Sequence, residues 1–211
     1  MKIQIFSDVH GDLRALERLM KVEADHYICA GDLGNWGRKL EECGELLRPF
    51  GSRIHIIPGN HETTAQISAL CEKFGLHDFH GQTFALGSLR VGGLGYSNIT
   101  PFQTSGEYTE EQLAEKLTPF NGVKPLLMVC HVPPFRTMLD RIVNFRHAGS
   151  TAVRAFIERE QPEYFFCGHI HEAAGAAERI GETKAMNVGK NGFLLDLNPG
   201  LIKIQFPGLL N

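Results

Sequence analysis

Short apolar runs that stop abruptly at a glycine, asparagine, aspartate or histidine recur along this chain: Lys2–Phe6, Tyr27–Ala30, Ile54–Ile57, Leu126–Cys130 and Tyr164–Cys167. Each is too short for a helix and rich in branched or aromatic residues, so each reads as a buried strand. Between the early runs the period changes. Leu13, Leu16, Leu19 and Met20 share one helical face, and "RKLEECGELLRPF" carries a less regular one that ends at Pro49 and Gly51. Strand alternating with helix predicts a parallel sheet. Two more helices are expected over Glu110–Leu117 and Gly149–Glu160, the second capped by Ser150. The last third is strand-rich: "TKAMNVGKNGFLLDL" reads as a hairpin around Lys190–Gly192, and "LIKIQF" as a strand after it. A second sheet packed on the first accounts for them. The glycine- and threonine-rich stretch from Gly87 to Gly106 reads as a surface loop.

Chemistry-bearing residues collect where the apolar runs end: Asp8-Val9-His10, Gly31-Asp32, Gly59-Asn60-His61-Glu62, Cys130-His131 and Gly168-His169-Ile170-His171. Strand ends are where open α/β sheets build their sites. Each motif alone is weak, since Asp and Gly are ordinary turn residues. Together they point to metal binding, because independent turns have no reason to gather Asp, Asn and His. On an extended chain, residues two apart face the same way, so Asp8 pairs with His10 and His169 with His171. Asp32 is the natural bridging carboxylate, Asn60 offers a carbonyl oxygen, and His131 an imidazole. Mixed N/O ligands without thiolate suit two divalent ions, manganese foremost, with Fe, Zn, Ni or Co as alternatives. Four positive charges against two carboxylates and a hydroxide leave a site that draws in phosphate, and paired ions activate water for displacement at phosphorus. His61, turned aside from Asn60, is expected to act as general acid or as a cationic donor to the developing oxyanion. Glu62 is expected to anchor the loop or to begin the next helix.

Composition narrows the options. The 211 residues, 43% of them hydrophobic, suit one domain spanning 1–211. A net charge of −3 with no basic stripe argues against an extended nucleic-acid surface. The five cysteines are scattered, with no CxxC pair, and read as small buried hydrophobes in a reducing compartment. No run approaches the roughly 20 apolar residues a bilayer requires. The N-terminal apolar run is too short for a signal peptide, so a cytoplasmic location is expected.

In this order, the five motifs resemble the signature of the calcineurin-like metallophosphoesterase superfamily. The segment from His131 to Glu160 is further similar to a small prokaryotic branch related to cyclic-nucleotide phosphodiesterases. The resemblance implies a four-layer α/β/β/α sandwich of two mixed sheets flanked by helices. It implies one ion on Asp8, His10, Asp32 and His171 and another on Asp32, Asn60, His131 and His169. A metal-bridging hydroxide would then attack a small phosphodiester or phosphomonoester, with His61 in the acid role. The stretch from Gly31 to Gly37 departs from the GDxxDRG motif of protein phosphatases, which argues against that activity and leaves His61 without an identifiable carboxylate partner. The competing expectation is a catalytically silent protein-binding scaffold on the same fold, resembling a retromer subunit. An intact His61 and a full ligand set favour the enzyme.

Overall fold

The computed structural model describes residues 1–197. All five apolar runs are strands. In the first sheet β1 (Lys2–Phe6), β2 (His26–Cys29), β3 (Ile54–Ile56) and β4 (His77–Asp78) run parallel, linked through α1 (Leu13–Met20), α2 (Leu40–Leu47) and α3 (Thr64–Phe74). There follow β5 (Gln82–Leu86), β6 (Leu89–Leu94), the short pair β7 (Ser97–Asn98) and β8 (Glu107–Tyr108), α4 (Glu110–Leu117) and β9 (Leu126–Cys130). The described chain closes with α5 (Thr151–Glu160), β10 (Tyr164–Cys167), β11 (Ala177–Ile180), β12 (Thr183–Asn187) and β13 (Phe193–Asp196). The sheets have the orders β13-β1-β2-β3-β4 and β11-β12-β10-β9-β6-β5, and antiparallel pairing is confined to their edges.

Period-two alternation explains the layering. In β9, Leu127 and Val129 face Ile3, Ile5 and Ile28 of the first sheet, while Leu126, Met128 and Cys130 pack with Leu113 and Leu117 of α4 and Phe156 and Ile157 of α5. On the far side, Phe6, Tyr27 and Cys29 meet Leu16, Leu47, Ile67 and Phe74 of α1, α2 and α3. The result is the four-layer α/β/β/α sandwich of the sequence reading. A strand covered on both faces must be apolar at every position, which is why these runs do not alternate. Ser150 caps α5, accepting from the Val153 amide, and all five cysteines are free and buried. No helix among the described residues is long and apolar enough to cross a membrane.

Two local expectations fail. The stretch read as a surface loop contains β6, an interior strand paired with both β5 and β9. Its glycines are there for space: a Cβ on Gly93 would lie 2.3 Å from the Phe79 ring. The expected hairpin around Lys190–Gly192 is a crossover instead. β12 belongs to the second sheet and β13 to the first, where it pairs antiparallel with β1, so the turn carries the chain across the sandwich. The strand expected in "LIKIQF" lies outside the described residues.

At the amino ends of β2, β3 and β4, three histidines form a ladder. His26 Nδ1 lies 3.2 Å from His55 Nε2, and His55 Nδ1 lies 2.8 Å from His77 Nδ1. His55 is 4% exposed and stacks on Phe84 with ring centroids 4.3 Å apart. Burial, with His77 and His26 alongside, pushes its pKa down to about 3. Between that value and the ordinary value near 6.5, the unfolded chain holds a proton that the folded chain does not, so stability falls as pH falls through the window. The predicted loss between pH 7 and pH 5 from this group is about 2 kcal/mol at most. Thermal or urea melts at the two pH values should show wild type losing more stability than His55→Phe; equal losses would remove the ladder as the cause.

Candidate metal centre

The parallel strands of each sheet bring their carboxyl ends to one edge, and Asp8, Asp32, Asn60, His131 and His169 all follow such ends directly. The sequence reading has Asp8 and His10 converge through the period of an extended chain, and likewise His169 and His171. The backbone achieves it differently. Asp8 (φ 57°), His10 (φ 49°), Asp32 (φ 53°) and His169 (φ 67°) adopt the left-handed conformation, and Asn60 and His61 lie in a turn. Asp and His tolerate this region better than most residues with a Cβ. The tight turns are held by Asp8 N–H donating to Gly31 O (3.1 Å) and His10 N–H to Asp32 O (2.9 Å). Gly59 must be a glycine, because a Cβ there would lie 2.0 Å from Asp32 Oδ1.

All seven predicted ligand residues come together, in two groups that share Asp32. In one, His10 Nε2 stands 3.0 Å from His171 Nε2, His171 Nε2 lies 3.6 Å from Asp8 Oδ1, and His10 Nε2 lies 3.6 Å from Asp32 Oδ2. In the other, Asn60 Oδ1 lies 3.0 Å from His131 Nε2 and 2.9 Å from His169 Nδ1, and His131 Nε2 is 3.4 Å from Asp32 Oδ2. One Asp32 oxygen thus faces both groups. His131 Nδ1 is 2.8 Å from Ala30 O, the contact that turns Nε2 toward the centre.

The electrostatics fit cations. Asp8 and Asp32 are 3% and 1% exposed, and their ion pairs are all with histidines. Burial opposes ionisation of Asp32, but the His131 charge overcomes it and holds the carboxyl below its usual range. Burial likewise works against a charged His131, yet Asp32 pushes its pKa up to about 9. Burial lowers His169 to about 4 and keeps its lone pair free. Two carboxylates, four imidazoles and one amide oxygen, with nitrogens facing one another at 3.0 Å, suit two divalent ions with N/O ligands.

His61 stands beside this set. Its backbone N–H donates to Asp32 Oδ1 at 2.9 Å, and its ring meets His10 edge-on at 4.8 Å and Trp36 at 5.0 Å. The Nδ1 atom is buried and has no hydrogen-bond partner among the described residues, so no carboxylate orients this ring. A grouping of His61 with His10 and Asp32 also has ligand atoms within 4.8 Å of one another. Glu62 is the loop anchor: fully buried, it accepts from the amides of Asp32 (3.1 Å), Gly34 (2.7 Å) and Gly59 (2.8 Å).

Two positioning residues escape the sequence reading. Thr104 Oγ1 accepts from Asn60 Nδ2 at 3.1 Å, which aims the amide oxygen at His131 and His169. Asn187 Nδ2 donates to Gly168 O and Ile170 O, at 3.1 and 2.9 Å, and so fixes the turn that carries His169. Thr104 lies in the stretch read as a bland loop, and a lone Asn at the end of a strand carries no signal. Asp32, Asn60, His61, His169 and His171 open onto one cavity of about 410 Å³, which no arginine lines.

The family model of calcineurin-like phosphoesterases matches residues 1–173. The chain is 33% identical to the uncharacterized protein MJ1162 of Methanocaldococcus jannaschii over 97% of its own length and 96% of that protein. Its fold is similar to TT1561 of Thermus thermophilus (TM-score 0.69, 16% identity, 90% of each chain). It is also similar to a dimetal phosphatase from Danio rerio (TM-score 0.56, 12% identity, 88% of this chain and 86% of that one).

Asp32→Ala removes the group shared by both clusters. Elemental analysis of metal-loaded protein should show occupancy falling from about two ions per chain to below one. A fully occupied pair in the variant would show that Asp32 bridges nothing.

Proposed function

Because the chain belongs to the calcineurin-like phosphoesterase family, we propose that it is a metal-dependent hydrolase of small phosphate esters, with diesters preferred over monoesters. The supporting observation is that seven N/O donors gather in two groups sharing Asp32, and that four of them, Asp32, Asn60, His169 and His171, line one cavity together with His61. The proposed assignment places one cation with Asp8, His10, Asp32 and His171 and a second with Asp32, Asn60, His131 and His169. It takes residues 1–211 as one metallophosphoesterase domain. Bound there, two divalent ions supply a nucleophilic water near neutral pH and polarise the phosphoryl oxygens.

The chain's own residues do the rest. Asp8 and Asp32, kept ionised by the surrounding histidines, set the charge that holds cations. Thr104 and Asn187 keep donor atoms aimed inward. His61 is the proton donor to the leaving oxygen: its amide is tied to Asp32 and its side chain lines the cavity. Proton donation of this kind contributes about 10²–10⁴-fold. The diester preference is supported by charge. Among the described residues no Lys or Arg lines the cavity to meet the second negative charge of a monoester dianion.

Replacing His61 by Ala should lower turnover of bis-p-nitrophenyl phosphate by about 10²–10⁴-fold with metal content unchanged. Loss of metal in that variant would make the histidine a ligand instead. For the bond type, metal-loaded protein given bis-p-nitrophenyl phosphate and p-nitrophenyl phosphate should show the higher kcat/KM on the diester. The reverse order would assign a phosphomonoesterase, and no turnover with Mn, Fe, Zn, Ni or Co would favour the scaffold.

A further inference from the structure

Resting on the phosphoesterase reading, we infer that the cleft beside the centre selects phosphate esters carrying a flat, uncharged, apolar arm, of the aryl class, over esters with small, cationic or polyhydroxylated arms. The cavity of about 410 Å³ is walled by Ile99, Pro101 and Phe102 on the segment after β7, by Ile142 and Val143 on the segment after Arg141, and by Ile170 between the two histidines of the last motif. Its volume is that of a small-molecule site. Ile99, Phe102 and Val143 are 62%, 73% and 67% exposed. Large apolar side chains left in water around a single mouth mark a surface that an apolar ligand covers.

The polar groups in the same wall are already engaged. Asn98 Nδ2 donates to the carbonyl oxygens of Ala148 (3.2 Å) and Gly149 (3.4 Å), and Thr100 Oγ1 donates to Glu107 Oε1 at 2.6 Å. A sugar or polyol arm would enter this cleft and lose water without gaining those partners. Beyond Asp32 and the histidines, the one formally charged side chain among the described residues in the lining is Glu172, which repels further phosphate groups. The nearby arginines are turned to other work: Arg141 stands over the Phe145 ring at 4.7 Å and Arg136 over Phe135 at 5.4 Å. A polyphosphate therefore finds no cationic grip here.

The protein carries its own reporter. Trp36 is the sole tryptophan of the sequence and packs on His61, which itself lines the cavity. Tryptophan fluorescence of metal-loaded protein, titrated with diphenyl phosphate and with dimethyl phosphate, reads binding without turnover. Diphenyl phosphate should bind at least about tenfold more tightly, the effect of covering a modest apolar area. Phe102→Ala and Val143→Ser, both on exposed side chains, should narrow that gap. In turnover, phenyl p-nitrophenyl phosphate should exceed methyl p-nitrophenyl phosphate in kcat/KM chiefly through KM. Phe102→Ala should raise KM for the first by a larger factor than for the second, and equal effects on the two would count against the inference.

Equal binding of the diphenyl and dimethyl esters, or a preference for p-nitrophenyl phosphorylcholine over the phenyl ester, overturns the inference. The two readings separate cleanly. Tight diphenyl phosphate binding without any turnover upholds the arm preference and sinks the phosphoesterase, whereas turnover blind to the arm does the opposite.

Discussion

Asp32 carries its negative charge into a place where it is 1% exposed, and the surrounding structure is arranged to make that tolerable. A carboxylate taken out of water must be paired or hydrogen-bonded, at a cost of several kcal/mol otherwise. Its partners come from three separate loops: His10 after β1, the His61 amide after β3 and His131 after β9. These meet only if both sheets deliver their strand ends to the same edge, so the layer architecture and the polar cluster require each other. Glu62 completes the arrangement: burial and the neighbouring Asp32 push its pKa up, while the amides of Asp32, Gly34 and Gly59 donate to its two oxygens and oppose that shift.

The same cluster is where the backbone is least comfortable. Four of the seven proposed ligand residues have positive φ, a conformation costing of order 1 kcal/mol or more for a residue with a Cβ. The turns persist because neighbouring groups over-determine them. The clearest case spans the sandwich: the His169 amide of the second sheet donates to both oxygens of Asp8 in the first, at 3.1 Å each. Strain is thus gathered at one edge of the sandwich, where the imidazole nitrogens of His10 and His171 face one another. Cation binding to such a site is linked to folding, since the unfolded chain offers no comparable cage.

What the sequence disclosed and what it withheld follow the same physics. Strands buried on both faces announce themselves as apolar runs, and β1, β9 and β10 are placed to the residue. Helix ends with ordinary caps, such as Ser150, were also legible. β6 was not, because "LRVGGL" owes its glycines to Phe79 packing against the strand, and glycine in a sequence speaks for a turn. The crossover near Lys190 was invisible because a turn does not record which sheet the next strand joins. At the site, residue types pointed to side chains that the structure does bring together, but for an imperfect geometric reason: they converge through left-handed turns rather than an extended period. Thr104 and Asn187 act only through what they touch, and pattern carries no trace of that. The three-histidine ladder likewise depends on strand neighbours far apart in the chain.

Charge handling and shape are divided between different parts of the molecule. The strand-end motifs set the charge, whereas the cleft walls come from segments with no strand of the two main sheets in them. Each wall is pinned from behind by one carboxylate. Asp140, fully buried, accepts from the amides of Arg136 (3.1 Å), Thr137 (2.9 Å) and Gly149 (3.0 Å), and pairs with His147 at 2.6 Å, closing the base of the segment that presents Ile142 and Val143. Opposite, Glu107 accepts from Thr100 Oγ1 (2.6 Å) and from the amide (2.8 Å) and hydroxyl (2.7 Å) of Thr104, bracing the segment that presents Pro101 and Phe102. A wall fixed in this way needs little ordering when a ligand arrives, and that ordering is one of the main costs of binding. Thr104 also orients Asn60, so the brace that shapes one wall aims a proposed ligand as well. On the proposed function, selectivity for the ester arm and placement of the reacting phosphorus are coupled through a single hydroxyl.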